Sequence, residues 1–69
     1  MARSNGTVKW YNDVKGFGFI TPDEGGEDLF AHKSQISRHG ARALEEGQAV
    51  SYEAVRGPKG LEARDIQPI

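Results

Sequence analysis

The chain has 69 residues, no cysteine and a formal net charge of −1, which points to one small domain that neither disulfides nor a thiolate-bound metal can staple. No apolar run approaches the roughly 20 residues of a membrane-spanning helix, and the start, Met1 to Asn5, lacks the apolar centre of a secretory leader. A cytoplasmic protein without membrane contact is expected. The near-neutral charge gives no global attraction for phosphate, so any contact with nucleic acid depends on where the cations sit.

Gly, Pro and Asn/Asp divide the chain into short extended pieces. Strands are predicted over residues 5–12, 17–22, 28–32, 48–56 and 61–67. The first three are joined by short turns, Asn12 to Gly16 and Asp23 to Glu27. A longer connection over 33–47 carries Gly40, Gly47 and a helix-capable stretch, Ala41 to Glu46, too short to stand as an independent helix. Residues 57–60 make the last turn. Two strand groups joined by a long loop fit an all-β, five-stranded antiparallel barrel of the oligonucleotide-binding type. Closing such a barrel removes the exposed edges that a small β protein must otherwise protect.

Strand parity sorts the side chains. Phe17 and Phe19 share one face of the second strand, with Gly18 and Ile20 on the other. In the third, Phe30 and His32 share a face opposite Leu29 and Ala31. If these strands are neighbours, the three Phe rings of the chain and an imidazole form one patch, with Lys15 at its edge. The inward candidates are Val8, Ile20, Leu29, Ala31, Val50, Tyr52, Val55, Leu61 and Ile66. A Phe is ordinarily a core residue. Here the opposite parity already supplies a core, and a small barrel cannot fill its interior from both faces of one strand. An exposed aromatic patch beside Lys9, Trp10, Asn12, Lys15 and Lys33 suits unpaired bases, which offer flat π-faces on an anionic backbone. Arg56 and Lys59 flank the last turn, where a basic residue either closes over a bound strand or stands as a solvated loop charge. Asp23, Glu24, Glu27 and Asp28 form an acidic cluster that reads as a solvated face.

The stretch from Gly6 to Asp23 includes Lys9-Trp10-Tyr11-Asn12 and Lys15-Gly16-Phe17-Gly18-Phe19-Ile20. It resembles the opening of the bacterial cold-shock proteins, with Lys15 to Ile20 similar to the family's first ribonucleoprotein motif and Leu29 to His32 to its second. Leu44 to Val50 and Gly57 to Gly60 are also family-like, so the resemblance covers about residues 5–67. It implies a Greek-key cold-shock domain that binds single-stranded RNA and DNA, acts as an RNA chaperone, and needs no cofactor, metal or small-molecule substrate. A monomer is expected, with a dimer as the alternative. The resemblance also places Val8 inside and Trp10 outside, although the two share parity, so a bulge near Lys9 and Trp10 is expected. The chain departs from the family's pattern at three positions: Tyr11 in place of a common Phe, Lys33 after His32 where many members have another Phe, and Ala41 where many have an aromatic residue.

Other classes fit less well. An RNA-recognition-motif domain needs two amphipathic helices for which the chain has no pattern. A barrel used for protein interaction, or a strand-swapped dimer, would use the same aromatic patch. Catalysis is not expected: Gly16 to Thr21 lacks the third glycine of a dinucleotide loop, no phosphate-loop lysine–threonine pair exists, and Ser34, Ser37 and Ser51 have no evident His–Asp partners. His32 and His39 alone make a poor metal site.

Overall fold

Strands form where side chains alternate between apolar and polar, and the turns fall at glycines and at Asn12. The computed structural model describes residues 3–36, 44–58 and 60–69. It contains β1 (Ser4–Asn12), β2 (Phe17–Pro22), β3 (Leu29–His32), a single 3-10 turn (Lys33–Gln35), β4 (Ala49–Gly57) and β5 (Gly60–Pro68). The strands close into a barrel in the order β1-β2-β3-β5-β4. Four pairings are antiparallel, and the fifth, between β3 and β5, is parallel. A ring with an odd number of strands cannot alternate direction all the way round, so one parallel pair is a geometric necessity. It is short: Phe30 opposite Glu62 and Ala31 opposite Ala63, with an isolated parallel bridge from Ile36 to Ile66 further along.

The core is Val8, Ile20, Leu29, Ala31, Leu44, Val50, Tyr52, Ala63 and Ile66, with Tyr11, Ile36 and Leu61 packed against it. Seven of the nine expected inward residues are therefore buried, and Leu61 seals the rim. Val55 is not core. It lies one residue out of phase with Tyr52, opposite Glu62, and is half-buried. Ala63 and Leu44 take its place. Ala63 faces Ala31 across the parallel pair, where two small side chains let β3 and β5 approach. Of the helix-capable stretch, residues 41–43 lie outside the described residues, and Leu44 to Glu46 are not helical. Among the described residues, no helix is long and apolar enough to cross a membrane.

The expected bulge is present. Val8 pairs with Ile20 inside the barrel, and Trp10 pairs with Phe19 outside it, so Lys9 is the extra residue. On the other side of β1, the Val8 amide donates to the Gln48 carbonyl at 2.9 Å and the Val8 carbonyl accepts from Gly47 N at 2.8 Å. The strand thus leaves β4 where it turns Trp10 outward.

Among the described residues, one buried side-chain polar group is unsatisfied. The Tyr11 hydroxyl is buried with no hydrogen-bond partner, and burial, with a smaller effect from Asp13, pushes its pKa above the usual phenol value. A buried hydroxyl without a partner costs about 1–3 kcal/mol. Tyr11→Phe removes that cost and little else, and is expected to stabilise the fold by about 1 kcal/mol or more. Urea unfolding of the two proteins at equal slope measures it, and an unchanged or lowered midpoint counts against the unsatisfied hydroxyl.

Candidate nucleic-acid interface

The outer face of β1, β2 and β3 carries a continuous strip of rings. The register sets Trp10 opposite Phe19, Phe19 opposite Phe30, and Phe17 opposite His32. Trp10 meets Phe17 edge-on at 5.7 Å between ring centroids and Phe19 at 5.5 Å. Phe17 stacks on Phe30 at 5.6 Å, Phe19 meets Phe30 edge-on at 5.9 Å, and His32 tilts toward Phe30 at 6.3 Å. All five rings are half-buried: their flanks touch one another, and the nine-residue core beneath is complete without them. Gly18 makes this close arrangement possible. It lies between Phe17 and Phe19 on the reverse face, and a methyl group there would overlap the Trp10 carbonyl oxygen and come within 2.7 Å of Tyr11 Cα.

The β1–β2 turn is fixed by Asn12. Its side-chain oxygen accepts from the amides of Val14 and Lys15, each at 3.0 Å, and its carbonyl accepts from Gly16 N at 2.7 Å. Asn12, expected at the interface, thus commits its side-chain oxygen to shaping the turn. Gly16, at a positive φ of 79°, lets the chain reverse, and its carbonyl accepts from Lys33 N at 2.9 Å. This bond ties the turn to the end of β3. The Lys33 stem then lies over Gly16, with its Cδ 3.0 Å from where a Cβ would sit. His32 caps the 3-10 turn: its Nδ1 accepts from Ser34 N at 3.1 Å and lies 2.9 Å from Ser34 Oγ. With Nδ1 accepting, the neutral ring carries its proton on Nε2, an assignment that follows from the hydrogen-bond pattern.

At the opposite end lies Lys9, expected beside the aromatic residues. Its ammonium pairs with Asp28 at 3.0 Å, and the Thr21 hydroxyl donates to the other Asp28 oxygen at 3.2 Å. The pair is exposed, and such pairs contribute only about 0–1 kcal/mol, so a phosphate can displace Asp28 at small cost. Arg56 is exposed on β4, opposite Leu61, and β5 separates its strand from β3. It does not join the ring cluster. Lys59 and Ala41 lie outside the described residues.

The sequence reading left out two residues that border the strip. Asp28, assigned to a solvated cluster, lies two residues before Phe30, and parity alone places it on the aromatic face. Glu62, brought alongside Phe30 by the parallel β3–β5 pair, accepts from Arg64 at 3.3 Å. No local pattern signals that neighbour.

Residues 4–69 match the 'Cold-shock' DNA-binding domain family. The chain is 59% identical over 66 residues to "Cold shock-like protein CspA" of Stigmatella aurantiaca, covering 96% of this chain and 97% of that one. It is 57% identical over 67 residues to "Major cold shock protein CspA" of Pseudomonas aeruginosa, covering 97% and 96%. The fold is similar to that of "drosophila Unr CSD456" with a TM-score of 0.82 at 22% identity, over 99% of this chain and 27% of that longer one. The chain belongs to the cold-shock domain family, whose members bind nucleic acid and are not enzymes.

Proposed function

We propose that this protein binds single-stranded RNA and DNA by stacking unpaired bases on the Trp10, Phe17, Phe19, Phe30 and His32 strip, and that it acts in the cytoplasm as an RNA chaperone. The observation that carries the reading is the strip itself. Five rings in mutual contact stay half-exposed on one face of a barrel whose core is already filled. A patch of this kind on a small protein marks a binding surface, and base–aromatic stacking contributes about 1–3 kcal/mol per base whatever the sequence. Lys15 and Lys33 at one end of the strip supply charge for the backbone, and Lys9 joins them once released from Asp28. Binding only the unpaired form of a hairpin shifts its equilibrium toward the open strand by mass action. No bond is made or broken. A single domain working as a monomer suffices for this activity.

Trp10 is the only tryptophan and reports directly. Its emission is expected to fall as oligothymidine or the matched RNA is added. Duplex of the same sequence is expected to bind far more weakly, because its bases are already stacked on one another. Equal affinity for duplex and single strand would sink the stacking mechanism.

A further inference from the structure

We propose that Lys15, Lys33 and His32 form a phosphate subsite at one end of the aromatic strip, and that it selects single strands ending in a phosphate monoester. The proposal rests on the nucleic-acid reading above and adds a feature of this chain. β2 runs from the Gly16 turn toward the acidic loop, and β3 runs back from that loop to His32. The two ends of the strip therefore carry opposite charge.

At the acidic end Lys9 is neutralised by Asp28, and Asp23, Glu24 and Glu27 follow in the same loop. A phosphate arriving there must displace Asp28 from Lys9 and approach the remaining acids of the loop. At the other end Lys15 leaves the turn that Asn12 fixes, and the Lys33 stem is laid across Gly16 by the bond from its own amide to the Gly16 carbonyl. Among the described residues no acid pairs with either lysine. His32, opposite Phe17 in the register, offers an Nε2–H donor because Nδ1 is occupied by the Ser34 amide.

Two unpaired ammonium groups and one neutral donor suit a dianion better than a monoanion. An internal phosphodiester carries one charge, whereas a phosphate monoester carries about −1.5 to −2 at neutral pH. Only a strand terminus supplies that group. Docking it at the lysine end would also fix where along the strip the first base stacks.

The test uses the intact protein, Trp10 emission, and thymidine hexamers with hydroxyl ends, a 5′-phosphate or a 3′-phosphate. One of the two phosphorylated hexamers is expected to bind about fivefold tighter than the hydroxyl form near ~0.1 M salt, the increment of one added contact at ~0.7 per phosphate on single strands. Lys33→Gln and Lys15→Gln each weaken binding of every hexamer by the loss of one cation, and are each expected to reduce the ratio between the phosphorylated and the hydroxyl form to about one. Lys33→Phe is expected to abolish it too, even though the added ring strengthens binding of every hexamer. Equal gains at both ends would mean a diffuse charge effect and overturn the subsite. So would a gain that survives Lys33→Gln, or no gain at all. Failure of the hydroxyl hexamer to bind the unmodified protein would instead defeat the nucleic-acid reading, and the subsite with it.

Discussion

Phe30→Ala is expected to weaken oligothymidine binding by about 1–3 kcal/mol, or roughly five- to 150-fold. Phe30 is the hub of the strip, in contact with Phe17, Phe19 and His32, so its loss removes one platform and loosens three others. Because the ring is only half-buried, stability should fall by less than the ~3–5 kcal/mol of a buried Phe→Ala change. The neighbouring residue provides the contrast. Leu29 points inward and is 1% exposed; Leu29→Ala is expected to cost ~2–5 kcal/mol of stability while the folded fraction binds normally. Urea unfolding paired with Trp10 titration separates the two variants. If Phe30→Ala unfolds like Leu29→Ala and its folded fraction binds with full affinity, the strip is an outer layer of core and not a binding surface.

Gly18→Ala is expected to be the most damaging Gly→Ala change among the described glycines. The new carbon would collide with the Trp10 carbonyl oxygen and with Tyr11 Cα. Both are backbone atoms, so no side-chain rotation relieves the contact and β1 must move away from β2. Overpacking costs about 1–3 kcal/mol where side chains can adjust, and occasionally more; a backbone collision at the centre of a hairpin belongs at the upper end. At ~4–8 °C per kcal/mol for a domain of this size, the melting temperature should fall by more than about 10 °C. Trp10 emission should change before any ligand is added, because the strand carrying the indole is displaced. A variant that melts with the parent and shows the parent's emission would contradict this packing.

How much was legible in the sequence varied with the range of the interaction. β2 and β3 were readable residue by residue, because a two-residue period assigns Phe17, Phe19, Phe30 and His32 to one face without knowledge of the partner strand. Their neighbourhood then followed from a hairpin with a short turn. β1 was not readable this way. Val8 and Trp10 share parity, and only the resemblance to the cold-shock proteins indicated that one residue had to be absorbed between them; the structure absorbs Lys9. Val55 was misassigned because an apolar residue was accepted as inward without checking its phase against Tyr52. Leu44 was overlooked as core because it sits in a connection without periodicity. Glu62 beside Phe30 and the Lys9–Asp28 pair depend on strands 32 and 19 residues apart, and no local pattern encodes such distances. The family match supports the binding class, whereas the roles of Lys15 and Lys33 rest on the geometry of this chain.

The parallel seam has a dynamic consequence. β3 and β5 share two register pairs, with one bridge from Ile36 beyond β3, against six pairs for β1–β2 and seven for β4–β5. Where the fewest backbone bonds hold two strands, local opening costs least, so the barrel has a parting line along β3. Every ring of the strip lies on the same side of it, on three strands joined by two continuous hairpins. Breathing at the seam can therefore widen the barrel and exchange its amides with water while the aromatic surface stays whole. In that respect the surface belongs to a three-stranded sheet, and the other two strands complete the core beneath it.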